Sequence, residues 1–203
     1  AQEGMHGDYG ANIGKVIAIR KDLPSLLKAY AAAGSDARMN GCELPVVINS
    51  GSGNQGLTVS VPLIIYAERE HLDKEKLYRA LVISNLTAIH LKTEIGRLSA
   101  FCGAVSAGAA CGAGLAYLKD ASEEVMNHTI VNALAITSGI ICDGAKASCA
   151  AKIAVSVEAG ILGYDMYMNG QQFYGGDGII SKGIENTIHN IGVLGSQGMA
   201  STD

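Results

Sequence analysis

The 203-residue sequence has no tryptophan and only two phenylalanines, so its core must be built from smaller side chains. It has no basic run and no stripe of mixed aromatic and basic residues. With 15 basic against 19 acidic residues and a net charge of −4, nucleic acid is not an expected partner. No uninterrupted apolar stretch reaches the roughly 18–20 residues that a membrane span requires, so no membrane partner is expected either. The opening Ala1-Gln-Glu-Gly-Met-His6 lacks the basic and apolar regions of a signal peptide, and a soluble, cytoplasmic location is the expectation. Paired C-x2-C knuckles are absent, no Gly-Lys-Ser/Thr follows a glycine loop, and no lysine motif for pyridoxal phosphate is evident. Five cysteines, at 42, 102, 111, 142 and 149, make an odd count that argues for reduced thiols over a disulfide scaffold.

Hydrophobic residues make up 48% of the chain, mostly Ala, Val, Ile and Leu, accompanied by 26 glycines. Small side chains and frequent glycine predict closely packed helices joined by tight turns. Apolar segments of helical length recur while strand signals are short and isolated, so the expected fold is mostly α. A helix is predicted over 20–34 with Gly34 as its stop. A short β-branched run at 46–48 leads into the glycine loop of 49–56, and Pro62 is expected to introduce or kink the next apolar segment. Asp73 is expected to cap a helix running to about Lys92. A buried Gly/Ala/Ser-rich helix is predicted over 94–118, and Ser122 is expected to cap another reaching about Gly139. After a turn at Cys142-Asp-Gly144 come helices over 145–159 and 183–195, separated by a second glycine loop at 175–178. The glycine-rich opening, residues 1–15, reads as an interior connection.

Two constellations could carry chemistry. Cys142-Asp-Gly-Ala-Lys-Ala-Ser-Cys149 stands with Phe101-Cys102-Gly103. In one straight helix Cys142 and Cys149 would lie about 10 Å apart along the axis, too far for one small cluster. Gly144 relieves this by letting the chain turn, leaving Cys142 in a loop and Cys149 on the following helix. On spacing alone an iron–sulfur cluster, zinc and plain apolar packing all remain open. The second constellation is Asn49-Ser-Gly-Ser-Gly-Asn-Gln-Gly56, with Asn49, Ser50, Gly51, Ser52, Gly53 and Asn54 as its candidate binding residues. Its backbone N–H groups could converge on a carboxylate or phosphate, though a plain glycine turn has the same pattern. His6 and His90 lie in phrases that carry a family resemblance, which makes them candidate catalytic groups, and Lys92, Glu94, Lys146 and Lys152 are candidates to tune a cluster or hold substrate. Structural or solvated roles are the alternative for each.

The phrases GMHGDYGANIGK, NSGSGNQG, HLKTEIGRLSAFCGA and CDGAKASCAAK resemble the L-cysteine desulfidase family, relatives of the iron–sulfur L-serine dehydratase α-chains. The resemblance runs over nearly the whole chain and implies a helical domain at 1–203 that forms the C-terminal half of a longer catalytic unit. It implies a [4Fe–4S] cluster held by Cys102, Cys142 and Cys149, with one iron open for substrate, while Cys42 and Cys111 pack. It places the 49–54 loop at the substrate carboxylate. The implied reaction is β-elimination of hydrogen sulfide from L-cysteine to give pyruvate and ammonia, with water elimination from L-serine as the alternative. A noncatalytic helical metal-binding domain is the reading from another class. The base is expected in a missing N-terminal half of the same protein, and a homo-oligomer is possible. Some serine dehydratases end in a cysteine that reaches back to the cluster; this tail, Ser201-Thr202-Asp203, has none, which favours the desulfidase branch.

Overall fold

The computed structural model describes residues 1–96 and 99–202. Among these residues there are nine α-helices and no strand: α1 Gln2–His6, α2 Ile13–Ala18, α3 Leu23–Met39, α4 Gly53–Arg69, α5 Lys74–Ile95, α6 Gly103–Leu118, α7 Glu123–Thr137, α8 Cys149–Met168 and α9 Ile184–Val193. A π-helical turn and a 3₁₀ turn follow, at Leu194–Gly198 and Ala200–Thr202. The expected mostly-α architecture is the one observed; the final residue of the tail lies outside the described residues.

α6 is the axis of the molecule. It is buried almost all round and packs against α4, α5, α7 and α8. A helix apolar on every side must be wrapped by others, and small residues decide how closely they come. At the α6–α8 crossing, a Cβ added to Gly108 would stand 2.3 Å from the Ser156 carbonyl oxygen, and one added to Gly160 would stand 2.6 Å from that of Gly108. Backbone therefore meets backbone, and the predicted buried Gly/Ala/Ser helix follows from that composition. Its start differs from expectation: the helix begins at Gly103, Ser99–Cys102 is non-helical, and residues 97 and 98 lie outside the described residues.

Four helix starts carry side-chain caps. Asp22, Ser52, Asp73 and Ser122 accept from the backbone N–H of Ser25, Gln55, Lys76 and Val125 respectively. Asp73 and Ser122 were readable in the sequence as caps. Gly34 was read wrongly as a stop. α3 runs through it to Met39 because Gly34 is buried where α4 crosses, and a Cβ there would lie 2.9 Å from Leu57. Pro62 lies buried inside α4 and does not introduce it. It removes the partner of the Thr58 carbonyl, and the fully buried Ser84 of α5 donates to the adjacent Val59 carbonyl at 3.0 Å. The 46–48 run forms no strand and leaves Val47 and Ile48 exposed. α8 starts four residues later than predicted and extends to Met168.

Candidate active site

The segment before α6 lies antiparallel to the segment after α7. Phe101 bridges Ile141, the Cys102 N–H donates to the Ile140 carbonyl at 3.2 Å, and the Cys142 N–H donates to the Ala100 carbonyl at 2.6 Å. Phe101 is fully buried, and Cys102 and Cys142, each one residue on from the Phe101–Ile141 bridge, fall on the same face of the pairing. Cys149 arrives by a different route. Gly144, at φ +96°, reverses the chain after Cys142-Asp143, and α8 begins at Cys149, whose thiol contacts the Gly144 carbonyl at 3.5 Å. Lys152, one turn into α8, clamps this loop by donating to the Ile141 carbonyl at 2.8 Å and pairing with Asp143.

These three cysteines line one cavity of about 280 Å³. Its opposite wall is Gly51, Ser52, Asn54 and Gln55, the end of the glycine loop and the first turn of α4; Arg38, Lys92, Ser99 and Lys152 complete the polar lining. A larger depression of about 750 Å³ lies between the start of α7 and residues 172–184, and it contains none of the expected site residues. Convergent chemistry, not volume, singles out the smaller one.

Three helix N-termini meet at this cavity, those of α4, α6 and α8. Each carries about half a positive charge in exposed N–H groups. With Arg38, Lys92 and Lys152 they make a site suited to thiolates and carboxylates. Cys102 experiences both sides of this balance. Burial pushes its thiol pKa up, while the Ala104 N–H and Lys152 pull it down and Cys142 and Cys149 push it up again. The hydrogen bond from Lys152 holds the Asp143 carboxyl below its usual value, and the same bond raises Lys152. Among the described residues no group of three or more His, Cys, Asp or Glu stands in an arrangement that could hold a metal ion.

The glycine loop divides. Asn49, nearly buried, donates to the Asn85 side chain at 3.0 Å, and the Ser50 hydroxyl donates to Asn49 at 2.9 Å; neither side chain lines the cavity. Ser50 and Gly51, both at positive φ, form the tight turn between Asn49 and Ser52 that aims the chain into α4. Gly53 lies behind that wall, against Arg38 and Val46.

Neither candidate histidine reaches the cavity. His6 is exposed on α1, 2.9 Å from the Gln2 carbonyl, and His90 is paired with Glu185 at 2.9 Å on the outer side of α5. Glu94 faces His189, and Lys146 stands exposed near Asp143. Cys111 is fully buried within α6 and Cys42 is half-buried beside α1; both lie apart from the cavity. Arg38 and Ser99 are lining residues that sequence reading missed, while Gln55 lay within the 49–56 loop but was not singled out as a binding residue. Gln55 had a signal, since it belongs to the same Ser-Gly-Asn-Gln phrase and the first turn of a helix starting at Gly53. Arg38 had none, because only tertiary packing brings the end of α3 there.

The model of the serine dehydratase alpha chain family matches residues 1–203. A UPF0597 protein of Desulfitobacterium hafniense (strain Y51) is 64% identical over all of this chain and 48% of its own length. UPF0597 proteins of Finegoldia magna and Treponema denticola are 53% and 51% identical, again over all of this chain and 49% of theirs. The chain thus spans about half the length of the curated relatives it matches. No solved structure matches it. A family match over every residue, joined to relatives of this identity, places the chain in the serine dehydratase alpha chain family.

Proposed function

We propose that this chain is the cluster-holding half of a β-eliminating lyase that acts on a small amino acid, L-cysteine in the first instance. The observation that carries the reading is the sharing of one cavity by Cys102, Cys142, Cys149 and the N-terminus of α4. The donor set is that of a [4Fe–4S] cluster: three thiols from three separate segments border one cavity, although as placed they do not form a metal-holding group. Cys102, Cys142 and Cys149 would hold it. When bound, such a cluster supplies Lewis acidity at an iron lacking a protein ligand.

The chain's own groups bind and orient the substrate. Backbone N–H groups of the first turn of α4, with Arg38, receive the α-carboxylate. Phe101 and Ile153 form the apolar part of the wall, which strengthens those charge interactions by limiting water. In the reaction the α-proton passes to a base, the Cβ–S bond breaks with its electron pair leaving on sulfur as hydrosulfide, and the resulting aminoacrylate tautomerises and hydrolyses to pyruvate and ammonia. No histidine or carboxylate lines the cavity among the described residues. Lys152 is engaged by Asp143 and the Ile141 carbonyl, and the base is assigned to the rest of the full-length protein, with the cytoplasm as its compartment.

The family's name favours a second substrate, L-serine, with water as the leaving group. Anaerobic assay of the full-length protein with both amino acids separates the two. Sulfide and pyruvate from L-cysteine at a higher kcat/KM than pyruvate from L-serine supports the desulfidase reading; the reverse order supports the dehydratase, and no product from either ends the lyase proposal.

A further inference from the structure

Donors crowd the cavity while acceptors are few. Three helix N-termini, Arg38, Lys92 and Lys152 all present N–H groups, and no carboxylate lines the wall among the described residues. The side-chain oxygens there are nearly all committed. Asn54 Oδ1 accepts from Arg38 at 3.2 Å, Ser52 Oγ accepts from the Gln55 N–H, and Ser99 Oγ accepts from the Phe101 N–H while donating to the Gly195 carbonyl. Gln55 is the exception. It is 5% exposed, it lines the cavity, and its Oε1 is shielded from solvent with no hydrogen-bond partner. Its amide lies against Gly103 at the start of α6, where an added Cβ would come within 2.5 Å of Nε2. A buried acceptor without a donor is rare and unfavourable, so a site that keeps one is built for a donor that arrives with the ligand.

We propose that Gln55 is the specificity residue of this site, its amide oxygen accepting a hydrogen bond from the α-ammonium of a substrate whose carboxylate lies on Arg38 and the α4 N-terminus. The inference rests on the reading of the cavity as an amino-acid site and adds the feature that distinguishes an amino acid from the corresponding plain acid. The last torsion of a glutamine side chain is broad and nearly two-fold, so the amide can turn its oxygen toward the incoming group. A substrate that carries the N–H supplies the missing hydrogen bond, while the analogue that lacks it leaves the acceptor as unpaired as it is in the free chain.

The test is calorimetric titration of the 203-residue chain, anaerobic and reduced, with L-serine against 3-hydroxypropionate and L-cysteine against 3-mercaptopropionate. The wild-type chain is expected to favour each amino acid over its des-amino partner by roughly ten- to hundredfold. Gln55→Met should abolish that preference, and Arg38→Met should weaken both members of each pair. Equal wild-type affinity within each pair overturns the role of Gln55 without recourse to any variant, as does a folded Gln55→Met chain that keeps the preference. Failure of the wild-type chain to bind any of the four compounds overturns the amino-acid site itself.

Discussion

Cys102 and Cys111 are both buried, yet their surroundings differ in kind. Cys111 lies fully enclosed in α6, and burial alone drives its thiol pKa upward. Cys102 has an N–H donor, a lysine and two further cysteines within electrostatic reach. Substitution should separate them. Cys111→Ala is expected to lower stability by about 1 kcal/mol and leave iron uptake intact, whereas Cys142→Ser, at an exposed position, should shift stability by less than about 0.5 kcal/mol yet lose the iron. Thermal melting and iron assay of the two purified variants check this. The cysteines were legible as words in a motif, and the turn at Gly144, which lets Cys142 and Cys149 border one cavity, was legible too. Arg38 was not legible at all, since nothing local in Ala37-Arg38-Met39 reports what α3 will lie against.

Helix boundaries were readable wherever the signal is local. An Asp or Ser side chain that bonds the N–H three residues on is decided within one turn, and the caps at Asp73 and Ser122 came out accordingly. Gly34 misled because its role is tertiary, making room for Leu57; of the two readings of Pro62, only that it introduces the helix is excluded, since it sits inside α4. The glycines of the α6–α8 crossing are the same effect on a larger scale. Gly160→Leu should cost about 3 kcal/mol or more, read as a fall in the urea midpoint, because the nearest obstacle is the Gly108 backbone, which cannot rotate away. Ser52→Ala should cost about 1 kcal/mol through its lost cap. If the first turn of α4 receives the substrate carboxylate, the same variant should also weaken L-serine binding.

The full-length relatives are about twice the length of this chain, and the cavity lacks a histidine or carboxylate among the described residues. Reconstituted with iron and sulfide, the 203-residue chain should therefore turn over L-cysteine at least about 10²-fold more slowly than a full-length relative, the lower end of a general base's contribution. Sulfide release measured on the two proteins side by side decides it, and comparable rates would place the base within this chain. The central claim is narrower: three thiols on one cavity hold one cluster. Anaerobic reconstitution of the wild-type chain, followed by iron and sulfide counts and a visible spectrum, tests it most directly. About four irons and four sulfides per chain are predicted, with broad visible absorption that bleaches on reduction and is lost in each of Cys102→Ser, Cys142→Ser and Cys149→Ser. A wild-type chain that takes up no iron, or a triple variant that keeps its full complement, would contradict the account.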